Sequence, residues 1–123
     1  MVYRGFRDLK VFQLSYSAAM EIYHETKRFP REERYSLTDQ LRRSSRSIPA
    51  NLAEGWKKRR HGKYFISKVF DCWGEAAEVE VWLDFASDCG YLTPERHRYF
   101  SAKYDEIGRM LYGIVQNIEK FAS

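Results

Sequence analysis

The chain has 123 residues and a formal net charge of +4, the size of one domain with room for one core. Apolar residues are 44% and charged residues 31%, which excludes disorder, and three prolines and seven glycines argue against a turn-rich β fold. No stretch approaches the ~20 apolar residues of a membrane-spanning helix, and Met1 to Asp8 lack the apolar run of a signal peptide. The expectation is a cytoplasmic protein with no membrane partner.

The first predicted helix runs from Asp8 to Arg28, with Leu9, Phe12, Tyr16, Ala19 and Tyr23 as its apolar stripe. Asp8 is the candidate N-cap, and Phe29-Pro30 is the stop, because the residue before proline is pushed out of the α region. The second helix runs from Ser36 to Trp56 on Leu37, Leu41, Ser45, Ile48 and Leu52. Ser36 is its candidate cap with Asp39 behind it, and Pro49 predicts a kink or irregular turn near Ser45 to Ile48. Gly55 weakens its last turn, and residues 57–62 form the connection.

The third helix runs from Lys63 to Asp88. Phe65, Val69, Cys72, Ala76, Val79, Leu83 and Ala86 step by four and three without a miss, as a bundle seam requires. A second stripe of Ile66, Phe70, Trp73, Ala77, Trp82 and Phe85 lies beside it. A helix apolar on two faces must bury both, so this stripe is read as a contact with another subunit or a large partner. Gly90 is the expected C-cap, and Thr93-Pro94 starts a fourth helix to Phe121, on Phe100, Tyr104, Ile107, Leu111, Ile114, Ile118 and Phe121. Short connections between four such helices predict a single all-α domain, an antiparallel up-down four-helix bundle. Its extreme ends are expected to be loose.

Charge is unevenly placed. Between Gln40 and Phe70 the basic residues are Arg42, Arg43, Arg46, Lys57, Lys58, Arg59, Arg60, Lys63 and Lys68, against one acid, Glu54. From Asp71 to Gly90 there are acids and no Lys or Arg. In an antiparallel hairpin Arg42, Arg43 and Arg46 fall beside Glu75, Glu78 and Glu80, where ion pairs are expected. The run Lys57 to Arg60, with Lys63, sits at the hairpin tip beyond that acidic half. It reads either as a solvated helix end or as a phosphate-binding tip. Trp56 and Tyr64 flank it, with packing favoured over stacking on bases for both rings.

No nucleophile and base come together in the sequence. His24, His61 and His97 fall on different segments, and Ser44, Ser45 and Ser47 sit among arginines. Glu21 and His24 form a single E-x-x-H, expected to face solvent, where a di-iron bundle needs two. Gln40, Asn51 and Glu54 lie near the seam of the second helix and are read as a hydrogen-bonded network. Cys72 and Cys89 are 17 residues apart, roughly 25 Å along a helix at about 1.5 Å per residue. Both are expected to be reduced and buried, with no zinc site. The chain is therefore expected to be a non-enzyme without cofactor or metal.

From Phe29-Pro30 through Glu33 to Gly55, including Gln40-Leu41-Arg42-Arg43-Ser44-Ser45 and Ser47-Ile48-Pro49-Ala50-Asn51-Leu52-Ala53-Glu54-Gly55, the sequence resembles the signature of the four helix bundle protein family. This is the 23S rRNA intervening-sequence, or S23, family. Phe6 to Phe12, Gly74, Ala77 to Glu80, Leu83 and Cys89-Gly90-Tyr91-Leu92 also fit, so the match spans nearly the whole chain. The resemblance implies a bacterial cytoplasmic bundle and a homo-oligomer, with pentameric rings in the superfamily. Some members are encoded in insertions within large-subunit rRNA genes. A relative, the accessory variability determinant of diversity-generating retroelements, binds a reverse transcriptase and nucleic acid. This chain resembles the rRNA-associated branch more. It departs from the pattern at Ser36, Arg46 and Glu75, and the family offers no catalytic residues to carry over. The combined expectation is a homo-oligomeric ring that binds RNA through Lys57, Lys58, Arg59, Arg60 and Lys63, with Arg42, Arg43 and Arg46 second. Ile66, Phe70, Trp73, Trp82 and Phe85 are the expected subunit contacts. The alternative is a protein-interaction scaffold that never touches nucleic acid.

Overall fold

A 3₁₀ turn at Phe6–Asp8 leads the chain into the first helix, in a computed structural model that describes residues 3–122. Helix α1 is Lys10–Thr26, α2 Leu37–Lys57, α3 Gly62–Asp88, α4 Pro94–Gln116 and α5 Ile118–Ala122. Among the described residues there is no strand, and no helix is long and apolar enough to cross a membrane. Each long helix packs on its neighbour in sequence, and α1 closes the circuit on α4. The pairs α1–α3 and α2–α4 make no close backbone approach. That is the four-helix up-and-down arrangement.

The apolar seams of α3 and α4 lie where their spacing puts them. Phe65, Val69, Cys72, Ala76, Val79, Leu83 and Ala86 are all buried, and so are Phe100, Tyr104, Ile107, Leu111 and Ile114. Thr93 caps α4 by accepting a hydrogen bond from the Arg96 N–H (3.1 Å), with Pro94 in the first turn. Gly90 turns at φ +80°, the left-handed conformation that favours glycine.

Other expectations are corrected. Of the predicted α1 row Leu9 and Ala19 are buried, but the helix otherwise buries Val11, Ser15, Ala18, Ile22, Glu25 and Thr26, in place of Phe12, Tyr16 and Tyr23. Tyr16 is 56% exposed, and Phe12 and Tyr23 are only partly buried. Small Ser15, Ala18 and Ala19 let α1 approach the core, and the rings are left as lids along its edge. Asp8 does not cap α1; its carboxylate accepts from the Arg4 N–H (2.7 Å). Ser36 holds the cap position of α2, but Glu33 does the capping, accepting from the Leu37 N–H (3.3 Å) and the Ser36 hydroxyl (2.6 Å). Glu33 also accepts from Tyr91 (2.8 Å), tying the α3–α4 turn to the start of α2. No irregular turn appears at Pro49, because α2 is helical through it. Buried Ser44 and Ser45 fold their hydroxyls back onto the Gln40 and Arg42 carbonyls.

α4 stops at Gln116, and Ile118 and Phe121 belong to the short α5, where both are half-buried. The N-terminal segment is not wholly loose: Tyr3 packs on Trp56 and Phe121, each at 5.6 Å between centroids. Met1, Val2 and Ser123 lie outside the described residues. Cys72 is buried and its thiol is pushed up to about 12 by burial, whereas Cys89 is exposed at the end of α3.

Candidate nucleic-acid interface

The tip is built on a buried ring. Trp56, the penultimate residue of α2, is 4% exposed and meets Phe65 edge to face at 6.3 Å. It is therefore a packing residue and presents no face to a base. Arg59 doubles back over it, 4.3 Å from the ring centroid, and donates from Nη1 to the Trp56 carbonyl (3.1 Å). Lys58 lies over Tyr64 (4.9 Å). Lys57, Arg60 and Lys63 are exposed. Among the described residues none of the five is within ion-pair distance of a carboxylate.

The one nearby acid is already occupied. Glu54 accepts from the Tyr64 hydroxyl and lies 3.2 Å from Lys68 Nζ. These two contacts hold its carboxyl below the ordinary range, and the Glu54 bond raises the Lys68 ammonium. Lys68 also donates to Asn51 (3.4 Å). The polar residues read as a core network thus form a belt along the α2–α3 edge, with Glu54 exposed and Gln40 bonded to Arg43.

Arg42, Arg43 and Arg46 do not act as a unit. Only Arg43 makes the expected bridge, to Glu78 at 2.9 Å. Arg42 and Arg46 are one turn apart on the side of α2 that faces α1, and both lie over the Tyr23 ring, at 4.8 and 5.7 Å. Arg46 therefore does not pair with Glu75. Glu75 is left with a buried Oε2 that has no partner among the described residues. Burial, and then the neighbouring Glu78, raises its carboxyl above the ordinary value. A folded value above the unfolded one means that the native state binds the proton more tightly. Stability is then greatest at pH below the unfolded value and falls as pH rises through the folded one. Glu75→Gln is expected to remove that fall and to raise stability at neutral pH by up to about 1 kcal/mol, checked by urea melts at pH 4 and pH 7.

The second stripe of α3 divides. Nine residues separate Trp73 from Trp82, about two and a half turns, so the rings leave opposite flanks. Trp73 stacks on Phe70 (6.0 Å) and packs on Tyr112 of α4 (5.3 Å), with Ile66 partly buried on the same flank. Trp82 donates to Glu78 (3.2 Å) on the α2 side. What remains exposed is the outward row, with Phe70 at 48%, Val81 at 49% and Phe85 at 54%, Phe70 lying against Trp73 and Phe85 against Trp82 (5.9 Å).

No three His, Cys, Asp or Glu side chains converge as a metal site among the described residues. Glu21 does not face open solvent: it accepts from Tyr99 (2.6 Å) and Lys103 (3.0 Å) of α4. Burial opposes these bonds, but they hold its carboxyl below the ordinary range.

The sequence pattern of the 23S rRNA-intervening sequence protein family matches residues 7–113. The chain belongs to that family. The family match covers all four long helices except the end of α4. A crystal structure of a protein of unknown function from the S23 ribosomal protein family of Bacteroides thetaiotaomicron is similar, with a TM-score of 0.74 and 26% sequence identity. The similarity covers 86% of this chain and 95% of that one. No curated protein matches the chain.

Proposed function

We propose that this 23S rRNA-intervening sequence protein is a non-enzymatic, homo-oligomeric bundle that binds RNA through the tip of the α2–α3 hairpin. The observation that carries this reading is the cation cluster Lys57, Lys58, Arg59, Arg60 and Lys63, none of which is within ion-pair distance of a carboxylate among the described residues, while Glu54 bonds Tyr64 and Lys68. The buried Trp56 gives the cluster a rigid base. Phosphate contacts of this kind give weak sequence preference and steep salt dependence. Subunit association places several tips on one particle, and avidity then strengthens a weak contact. The outward row Phe70, Val81 and Phe85 is the surface that a neighbouring copy would cover, and a pentameric ring is the assembly expected.

Binding of a structured RNA is measured from low to moderate salt. Changing Lys57, Lys58, Arg59 and Arg60 together to Gln is expected to lower the slope of log K against log salt by about four, near one per lost phosphate contact. An unchanged slope rejects the tip, and a wild-type protein that ignores RNA at low salt rejects the reading. Light scattering tests the assembly, and a monomeric mass rejects it. The apolar row with acidic Asp84 and Asp88 beside it favours the second reading, a protein-interaction scaffold. An oligomer that ignores RNA selects it.

A further inference from the structure

A recess of about 240 Å³ lies at the other end of α2, where α1 ends and the chain turns back. It is lined by Lys27, Arg31, Arg34 and Arg42, with the hydroxyl residues Thr26 and Thr38, and no acid lines it. Among the described residues none of the four cations is within ion-pair distance of a carboxylate. Of the nearby acids, Glu25 holds Arg28 (2.6 Å) and Arg96 (3.1 Å), Glu33 holds Ser36 and Tyr91, and the exposed Glu32 and Asp39 stand outside the recess lining.

Arg42 is fixed before any ligand arrives. Its Nε donates to Thr26 Oγ1 (2.8 Å), whose own proton goes to the Ile22 carbonyl (2.8 Å). Its guanidinium rests on the Tyr23 ring, which also carries Lys27 Nζ at 4.7 Å. Both Nη groups of Arg42 have no protein acceptor among the described residues, and neither has the Thr38 hydroxyl. A guanidinium held by one edge and one face, with its other edge free, is organised for two parallel bonds to a phosphate. The volume is that of roughly eight waters at ~30 Å³ each, enough for a tetrahedral oxyanion with part of its ester.

We infer that this recess is a phosphate-group site, separate from the hairpin tip, in which Arg42 supplies the fork and Lys27, Arg31 and Arg34 the charge. About 22 Å of α2 separates Arg42 from Lys57, at about 1.5 Å per residue, so the two sites report independently.

Inorganic phosphate is titrated calorimetrically into the full chain, with chloride at matched ionic strength as the control. Saturable phosphate binding is expected in the wild type. A Lys27→Gln/Arg34→Gln double variant alters only exposed side chains, and it is expected to weaken binding at least tenfold. Arg42→Lys keeps the charge, removes the fork, and is expected to weaken it as well. The Gln variant of Lys57 to Arg60 is expected to bind phosphate as the wild type does.

No phosphate signal above chloride, or binding unchanged in Lys27→Gln/Arg34→Gln, or binding lost in the tip variant alone, overturns the site. Two oligoribonucleotides of one sequence, with 5′-phosphate and with 5′-hydroxyl, distinguish the sources. Tighter binding of the phosphorylated one, lost in the double variant, assigns an RNA end. Equal binding of the two alongside retained phosphate binding assigns the free anion. A protein that binds phosphate and ignores RNA keeps the recess and rejects the tip.

Discussion

Phe65→Ala is expected to cost about 3–5 kcal/mol of folding free energy, the range for emptying a fully buried aromatic site. The ring is completely buried in the first turn and a half of α3, at the hairpin end of the core. Its edge meets Trp56 at 6.3 Å, and Trp56 in turn supports Tyr3 and Arg59. The space cannot collapse cheaply, because α2 and α3 are already in close approach here: a Cβ built on Gly55 falls 2.9 Å from Lys68 Cβ. At about 4 °C per kcal/mol for a chain of this size, the thermal midpoint is expected to fall by more than 10 °C. Urea unfolding with an unchanged m-value checks the free energy. A cost under about 1 kcal/mol would mean that the tip is not packed on this ring. Phe85→Ala is the contrast: at 54% exposure it is expected to shift the stability of a lone subunit by no more than about 0.5 kcal/mol. A larger effect that rises with protein concentration would mark a subunit contact.

What the sequence makes legible depends on whether an apolar row keeps its spacing unbroken. In α3 the row from Phe65 to Ala86 steps by four and three throughout and is buried in full, whereas the stripe beside it breaks with a step of five from Ala77 to Trp82 and is not. In α1 two rows compete one position apart, and side-chain size favours the wrong one. Phe12, Tyr16 and Tyr23 look like core, yet the helix buries Ser15, Ala18 and Ile22, because small residues permit the closer approach.

The basic residues show the same limit. Lys57 to Arg60 are contiguous and legible as a cluster, and the burial of Trp56 follows from its size. Arg42, Arg43 and Arg46 read as one group, but a step of one residue on a helix is about 100°, which sends Arg43 to Glu78 and Arg42 to Tyr23. The recess at Lys27, Arg31, Arg34 and Arg42 draws on α1, a turn and α2 at once, so no sequence window contains it. The only signal was the excess of base over acid between Lys27 and Arg34. Trp73 and Trp82 fail as one stripe for a related reason, since nine residues is a half-integral number of turns.

Gly55 carries the second large effect, and propensity points the wrong way there. A glycine near the end of α2 reads as a weak point, and replacing it with alanine in a free helix would add up to about 1 kcal/mol. In the folded chain the new Cβ would sit 2.9 Å from Lys68 Cβ and 3.3 Å from Phe65 Cδ1. Lys68 Cβ is fixed to the α3 backbone and cannot swing aside, so the two helices must part. Overpacking of this kind costs about 1–3 kcal/mol, more than the propensity gain. Gly55→Ala is therefore expected to destabilise by about 1 kcal/mol, and Gly55→Val, bulkier and β-branched, by about 3 kcal/mol. Parting the helices also disturbs the contact of Lys68 with Glu54 at 3.2 Å, which frees an acid beside the cationic tip. RNA affinity is then expected to fall in Gly55→Val under conditions where the variant remains folded. Gly113, in the last full turn of α4, has nothing within 4 Å of its built Cβ. There Gly113→Ala is expected to stabilise by about 0.5–1 kcal/mol, with propensity unopposed. The same substitution then has opposite signs at the two sites, read from paired urea midpoints. Stabilisation at Gly55 would show that α2 and α3 do not touch as closely as their backbones indicate.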